Sequence, residues 1–95
     1  MDHVIGFFVL EYSFFGNGFV SLLVVREGSR RRGVGRALLK HAMSICTTAK
    51  LFTSTNESNT PMRSLLREER FEDSGVIHNL DEGDPELVFF RRVRE

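Results

Sequence analysis

The seven residues Arg30-Arg31-Arg32-Gly33-Val34-Gly35-Arg36 carry the densest chemistry in this chain. They follow the apolar run Phe19 to Val25 and precede a helical pattern, so they sit where a strand hands over to a helix N-terminus. There the first backbone N–H groups have no intrahelical acceptor and point outward together. The macrodipole adds roughly half a positive charge at the same end. Gly33 and Gly35 remove side chains, so a bulky anion can approach the main chain closely. Arginines on both sides offer charge-assisted, often bidentate contacts to phosphate. Strand, glycine turn and helix together predict a phosphate cradle.

Two familiar phosphate sites are excluded by their own spacing. Gly28 and Gly33 are separated as in a P-loop, but Val34 and Gly35 occupy the lysine and hydroxyl positions. A dinucleotide fingerprint needs a third glycine where Leu38 stands and an acidic residue roughly 20 residues later, where Thr53 and Ser54 lie instead.

The elements that must position this turn follow from pattern. Val4 to Tyr12 is rich in β-branched and aromatic residues and predicts a strand. Asn17-Gly18 is a strong hairpin signal, and Phe19 to Val25 predicts the returning strand, covered on both faces because its apolar run is nearly continuous. Val34, Ala37, Leu38, Ala42 and Ile45 recur at helical spacing. Leu51 to Thr53 predicts a short strand and Ser54 to Asn59 a loop. Thr60-Pro61 predicts an N-cap and first turn of a helix running to about Arg70. A weaker strand signal lies around Val76 and Ile77. Asp81 to Pro85 predicts a turn, and Glu86 to Val93 a closing strand. The fold class is α/β (α+β), a mixed sheet in the order β-β-α-β-α-β-β within one domain over residues 1–95.

Composition narrows the function classes. With 95 residues, 41% hydrophobic, 27% charged and nine Phe, the chain fits one ordinary globular domain. No apolar run reaches the roughly 20 residues of a membrane span, and the apolar start lacks a basic flank and cleavage site, so no membrane partner is expected. One cysteine, Cys46, excludes an internal disulfide framework and a thiolate zinc cluster. A reducing, cytoplasmic location and no metal are the expectations. Zero net charge argues against a nucleic-acid module built on Arg30 to Arg32 with Arg91, Arg92 and Arg94. His3, His41 and His78 lack ligand spacing, Cys46 reads as a small core hydrophobe, and Glu11 and Tyr12 are weakly placed acid–base groups.

At the glycine–arginine turn the chain resembles the GNAT superfamily of acyl-CoA-dependent N-acetyltransferases. Their Arg/Gln-x-x-Gly-x-Gly/Ala signature is matched by Arg30-Arg31-Arg32-Gly33-Val34-Gly35 after Leu23-Val24-Val25. A second, weaker match is Asn59-x-x-Met62-x-x-Leu65-Leu66-x-x-x-Arg70-Phe71. The order of elements from residue 4 to 93 fits the later two-thirds of the family, a short form without the usual amino-terminal strand and helices. The resemblance implies transfer of an acetyl group from acetyl-CoA to a primary amine, of a small molecule or protein, by direct attack in a ternary complex. It implies two parallel strands splaying apart, here Phe19–Val25 and Leu51–Thr53. Main-chain groups of Leu23, Val24 and Val25 would pair with pantetheine and polarise the thioester carbonyl. The turn Arg30, Arg31, Arg32, Gly33, Val34, Gly35 and Arg36 would hold the pyrophosphate, and Asn59 would touch the cofactor. A homodimer completing the acceptor side is a further implication of the missing elements. The family's tyrosine acid, glutamate base and Gly-Phe glycine correspond to Leu66, Ser54 and Arg70, so no catalytic residue is assigned. A non-catalytic acyl-CoA-binding or regulatory module with the same fold is the alternative.

Overall fold

A computed structural model describes residues 5–29 and 33–95. Strand β1 (Gly6–Phe14) and β2 (Asn17–Val25) form an antiparallel hairpin, followed by a single 3-10 turn at Glu27–Ser29. Helix α1 (Val34–Ile45) crosses to β3 (Lys50–Asn56), which pairs parallel with β2. Helix α2 (Thr60–Glu68) leads to β4 (Glu72–Ile77), and β5 (Glu86–Arg92) returns between β3 and β4, antiparallel to both. The five strands lie in the order β1-β2-β3-β5-β4. The anticipated element order and mixed sheet hold; the insertion of β5 inside the sheet is new.

Register divides the sheet into two unlike faces. Val20, Thr53 and Phe89 stand opposite one another on adjacent strands, and all three are buried. With Leu51 they meet Leu39, Ala42 and Cys46 of α1 and Leu66 of α2 in the core. The next register row, Phe19, Phe52 and Phe90, looks the other way. Phe14 stacks on Phe19 at 4.7 Å, and Phe52 stacks on Phe90 at 5.7 Å, so aromatic rings run across four strands. Phe7, Val9, Leu22 and Val24 extend this second face and are exposed. Both helices lie on the first face, because residues of β1 and β2 that touch α1 (Gly6, Phe8, Val25) alternate with these.

Several expectations are corrected. The hairpin turns at Phe15-Gly16, not at Asn17-Gly18: both turn residues have left-handed φ (53° and 76°) and Phe14 pairs with Asn17. The Asn17 amide donates to the Phe14 and Phe15 carbonyls, supporting the turn from the strand side. Gly18 serves close packing instead. A Cβ there would lie 2.6 Å from Cys46 Sγ, and the Gly18 N–H donates to Thr48 Oγ1 at 2.8 Å. Helix α1 buries Leu39, Ala42 and Cys46, while Ala37 and Ile45 of the anticipated stripe face solvent. The run Leu38-Leu39 allows either face, and packing against β2 and β3 selects Leu39. Residues 54–56, anticipated as loop, continue β3 because β5 supplies ladder partners through Asn56↔Glu86. Asn59, not Thr60, caps α2, its Oδ1 accepting from the Met62 N–H at 3.2 Å.

Helix α2 ends at Glu68, earlier than expected. Arg70 takes a left-handed φ of 65°, and the Phe71 N–H donates to the Leu66 carbonyl at 2.9 Å, closing a Schellman-type cap. A non-glycine residue in that conformation costs about 1–2 kcal/mol. Two carboxyl-terminal arginines are also structural: Arg91 donates to the Glu69 carbonyl, and Arg94 to the Ser44 and Cys46 carbonyls at the end of α1. No helix among the described residues is long and apolar enough to cross a membrane.

Arg70→Gly is expected to raise unfolding stability by about 0.5–1 kcal/mol, relief of strain outweighing the freedom glycine adds to the unfolded chain. Gly18→Ala is expected to lose about 1–3 kcal/mol by overpacking against Cys46. Denaturant titration of both variants against the parent checks the two signs.

Candidate functional site

The site begins where β2 and β3 part. Their ladder spans only Gly18↔Leu51, Phe19↔Phe52 and Val20↔Thr53. Beyond that point β2 pairs only with β1, and β3 only with β5. Two local features lie at the parting. The buried Thr53 Oγ1 donates to the Val20 carbonyl at 2.9 Å, tying the two strands together at their last paired row. One residue later the register against β1 jumps from Val9↔Leu22 to Leu10↔Val20, leaving Ser21 as an extra residue in β2. Such a bulge bends its strand and strengthens its twist. The Arg26 N–H donates to the Ile5 carbonyl of the β1 side at 2.7 Å. Alternation therefore directs the main-chain groups of Val25 and Leu23 toward the gap.

The gap opens onto the start of α1. Gly33 is the N-cap, with φ 73° and ψ 14°, and being glycine it brings no side chain of its own to cap the helix. Its carbonyl accepts from the Ala37 N–H at 3.0 Å. The N–H groups of Val34, Gly35 and Arg36 precede the first intrahelical bond and share the positive end of the dipole. A Cβ on Gly35 would lie 3.5 Å from Leu65 Cδ2 and 3.7 Å from Val25 Cγ2, so glycine keeps open the space between β2 and α2.

Helix α2 forms the opposite wall. Leu23, Val24, Val25, Gly33, Gly35 and Arg36 on one side meet Asn59, Pro61, Met62, Ser64, Leu65 and Glu68 on the other around a cleft of about 630 Å³. Arg36 crosses this cleft near its end and pairs with both Glu68 and Glu69. Its hydrogen bonds to Glu68 and then Glu69 push the guanidinium pKa further up. The Glu69 side chain is only 9% exposed and also faces Lys40 Nζ at 3.7 Å.

Of the anticipated binding residues, Leu23, Val24, Val25, Gly33, Gly35, Arg36 and Asn59 are brought together on this cleft. Val34 does not line the cleft, because its side chain turns toward Gly6 of β1. Arg30, Arg31 and Arg32 lie outside the described residues. The weighed acid–base groups do not enter. Leu66 is fully buried in the core. The Ser54 hydroxyl donates to Glu86 at 2.7 Å on the face away from the helices. Glu11 lies on the outer strand, where hydrogen bonds from Ser21 and Ser13 lower its pKa and weaken it as a base. The Tyr12 hydroxyl accepts from the Thr47 N–H at 3.2 Å, beyond the far end of α1. Among the described residues no group of three His, Cys, Asp or Glu side chains could hold a metal.

Sequence reasoning missed Glu68, Glu69, Thr53 and the Ser21 bulge. Two acidic residues closing a helix, where the dipole favours cations, were the available signal for the first pair. Thr53 and Ser21 carry none, since their roles arise only from strand pairing.

Comparison with known proteins agrees with this geometry. The model of the Acetyltransferase (GNAT) family matches residues 1–71. A GNAT-family acetyltransferase from Bacillus cereus ATCC 10987 superposes with a TM-score of 0.87 at 42% identity, over 92% of this chain and 61% of that one. A GNAT-family acetyltransferase from Elizabethkingia anophelis with acetyl-CoA bound superposes with a TM-score of 0.83 at 20% identity, over 95% of this chain and 69% of that one. Ard1 from Thermoplasma volcanium gives a TM-score of 0.85 at 22% identity, over 96% of this chain and 64% of that one. A search of curated proteins found no match. The chain belongs to the GNAT acetyltransferase family, and it spans about 61% of the length of its Bacillus cereus relative.

Thr53→Val removes the hydroxyl that holds the Val20 carbonyl in a buried position. It is expected to cost about 1–3 kcal/mol in denaturant unfolding, and to broaden the amide resonances of β2 beyond Val20 selectively.

Proposed function

We propose that this cleft binds acetyl-CoA and that the chain is an N-acetyltransferase acting on a primary amine. One observation carries the reading: the parted edge of β2 and the glycine-bounded N-terminus of α1 open into the same cleft. An extended pantetheine arm fits the first as an added strand would, through the main chain of Leu23 and its neighbours. A pyrophosphate fits the second, on the N–H groups of Val34, Gly35 and Arg36. The space a Cβ on Gly35 would fill supports that fit. The Elizabethkingia anophelis relative has acetyl-CoA bound, which supports the choice of donor.

Bound acetyl-CoA supplies an activated acyl thioester. The protein aligns it: β2 fixes the arm, α1 fixes the phosphates, and the parting at Val20 and Thr53 leaves room for the reacting carbon. A main-chain N–H near Val25 polarises the carbonyl oxygen where negative charge develops. The amine nitrogen attacks that carbon, the carbon–sulfur bond breaks, coenzyme A leaves as the thiol or thiolate, and the nitrogen loses a proton. No acyl-enzyme is needed, and alignment alone supplies a large share of such rate enhancements.

The second reading is an acyl-CoA-binding module without turnover. Leu66, fully buried where the family's acid would stand, favours it. Proton transfer typically contributes about 10²–10⁴-fold, so its loss slows the reaction without affecting cofactor affinity.

Acetyl-CoA titrated into labelled protein is expected to give saturable shifts at the Gly33, Gly35 and Val25 amides. Gly35→Leu should abolish them with the fold intact. Absence of shifts at millimolar ligand in folded protein would remove the cofactor reading. Thiol release with a panel of amines then separates the two readings, since binding with no release on any amine supports the module.

A further inference from the structure

We propose that Glu68 is a resident competitor for the phosphates of the bound nucleotide cofactor, and that Arg36 exchanges Glu68 for a phosphate oxygen on binding. This rests on the acyl-CoA reading of the cleft. Arg36 stands in the first turn of α1, beside the N–H groups that face the anion, yet its guanidinium reaches across to the last turn of α2. Both Arg36 and Glu68 line the cleft together with Gly33 and Gly35.

The two carboxylates that hold Arg36 are not equivalent. The Glu69 side chain is 9% exposed, faces Lys40 Nζ at 3.7 Å, and follows a chain path fixed by Arg91 on its carbonyl. That pair is a structural anchor. The Glu68 side chain is 58% exposed, and Arg36 is its partner among the described ion pairs and hydrogen bonds. A carboxylate in the last turn of a helix is opposed by the macrodipole, so its place beside an anion site depends on Arg36. Exposed ion pairs are weak, whereas an arginine fork on phosphate makes strong charge-assisted bonds. The anchor keeps Arg36 at the cleft while the outer arm of its fork changes partner. Glu68 thus lowers affinity for the donor and for its coenzyme A product alike.

Calorimetric titration with coenzyme A tests the exchange in the full chain. Glu68→Gln is expected to bind roughly two- to fivefold more tightly at low salt, and the gain should fade as salt rises. In an Arg36→Gln background the same substitution should bring no gain, because the exchanging arm is gone. If Arg36→Gln melts early through loss of the Glu69 anchor, Arg36→Lys replaces it and the gain should shrink. Unchanged or weaker binding by Glu68→Gln overturns the inference. So does a gain that is independent of salt, or one that persists undiminished without the arginine. Failure of both parent and Glu68→Gln proteins to bind coenzyme A would overturn the acyl-CoA reading itself, and this inference with it.

Discussion

Val20 and Thr53 make the last ladder pair between two strands that start as neighbours and then part, leaving β2 to line a cleft whose opposite wall is α2. The Thr53 hydroxyl ties the two strands at that row, and the extra residue Ser21 turns β2 away one residue later. A sheet that continued its pairing would bury these main-chain groups and leave no cleft. The rest of the molecule keeps the parted strands from collapsing or fraying. β1 holds the outer edge of β2, β5 holds β3 out to Asn56, and α1 and α2 pack below on Leu39, Ala42, Cys46 and Leu66. The opening is held because each strand is paired on its other side, β2 with β1 beyond the Ser21 bulge and β3 with β5 throughout.

The electrostatics follow the same division of labour. The N-terminus of α1 provides partial positive charge from its main chain, which needs no ordering on ligand arrival. Among the described residues Arg36 pairs with Glu68 and Glu69 across the cleft, with Lys40 beside Glu69, and these pairs bind the first turns of one helix to the end of the other. Helix packing and anion chemistry are therefore joined at a single guanidinium. A change of partner there is felt by both.

Much of this was legible in the sequence. The glycine–arginine turn between an apolar run and a helical stripe pointed to one end of a helix, and seven of the residues named for binding line one cleft there. Local signals failed where tertiary pairing decided. Asn17-Gly18 has the composition of a turn, but the close approach of Cys46 commits Gly18 to the strand and moves the turn to Phe15-Gly16. Ser54, Thr55 and Asn56 are polar, and only β5 beside them makes them a strand. Arg70 sits in a conformation that favours glycine and carries no local mark of it. The near-continuous apolar run Phe19 to Val25 predicted cover on both faces, but both helices lie on one side and Leu22 and Val24 are exposed on the other.

Gly18 and Cys46 touch across the strand–helix boundary with no room for another atom. The order in which substitutions accumulate at the two positions therefore matters. A side chain gained at position 18 costs less once bulk has been lost at position 46, and a larger residue at 46 raises that cost.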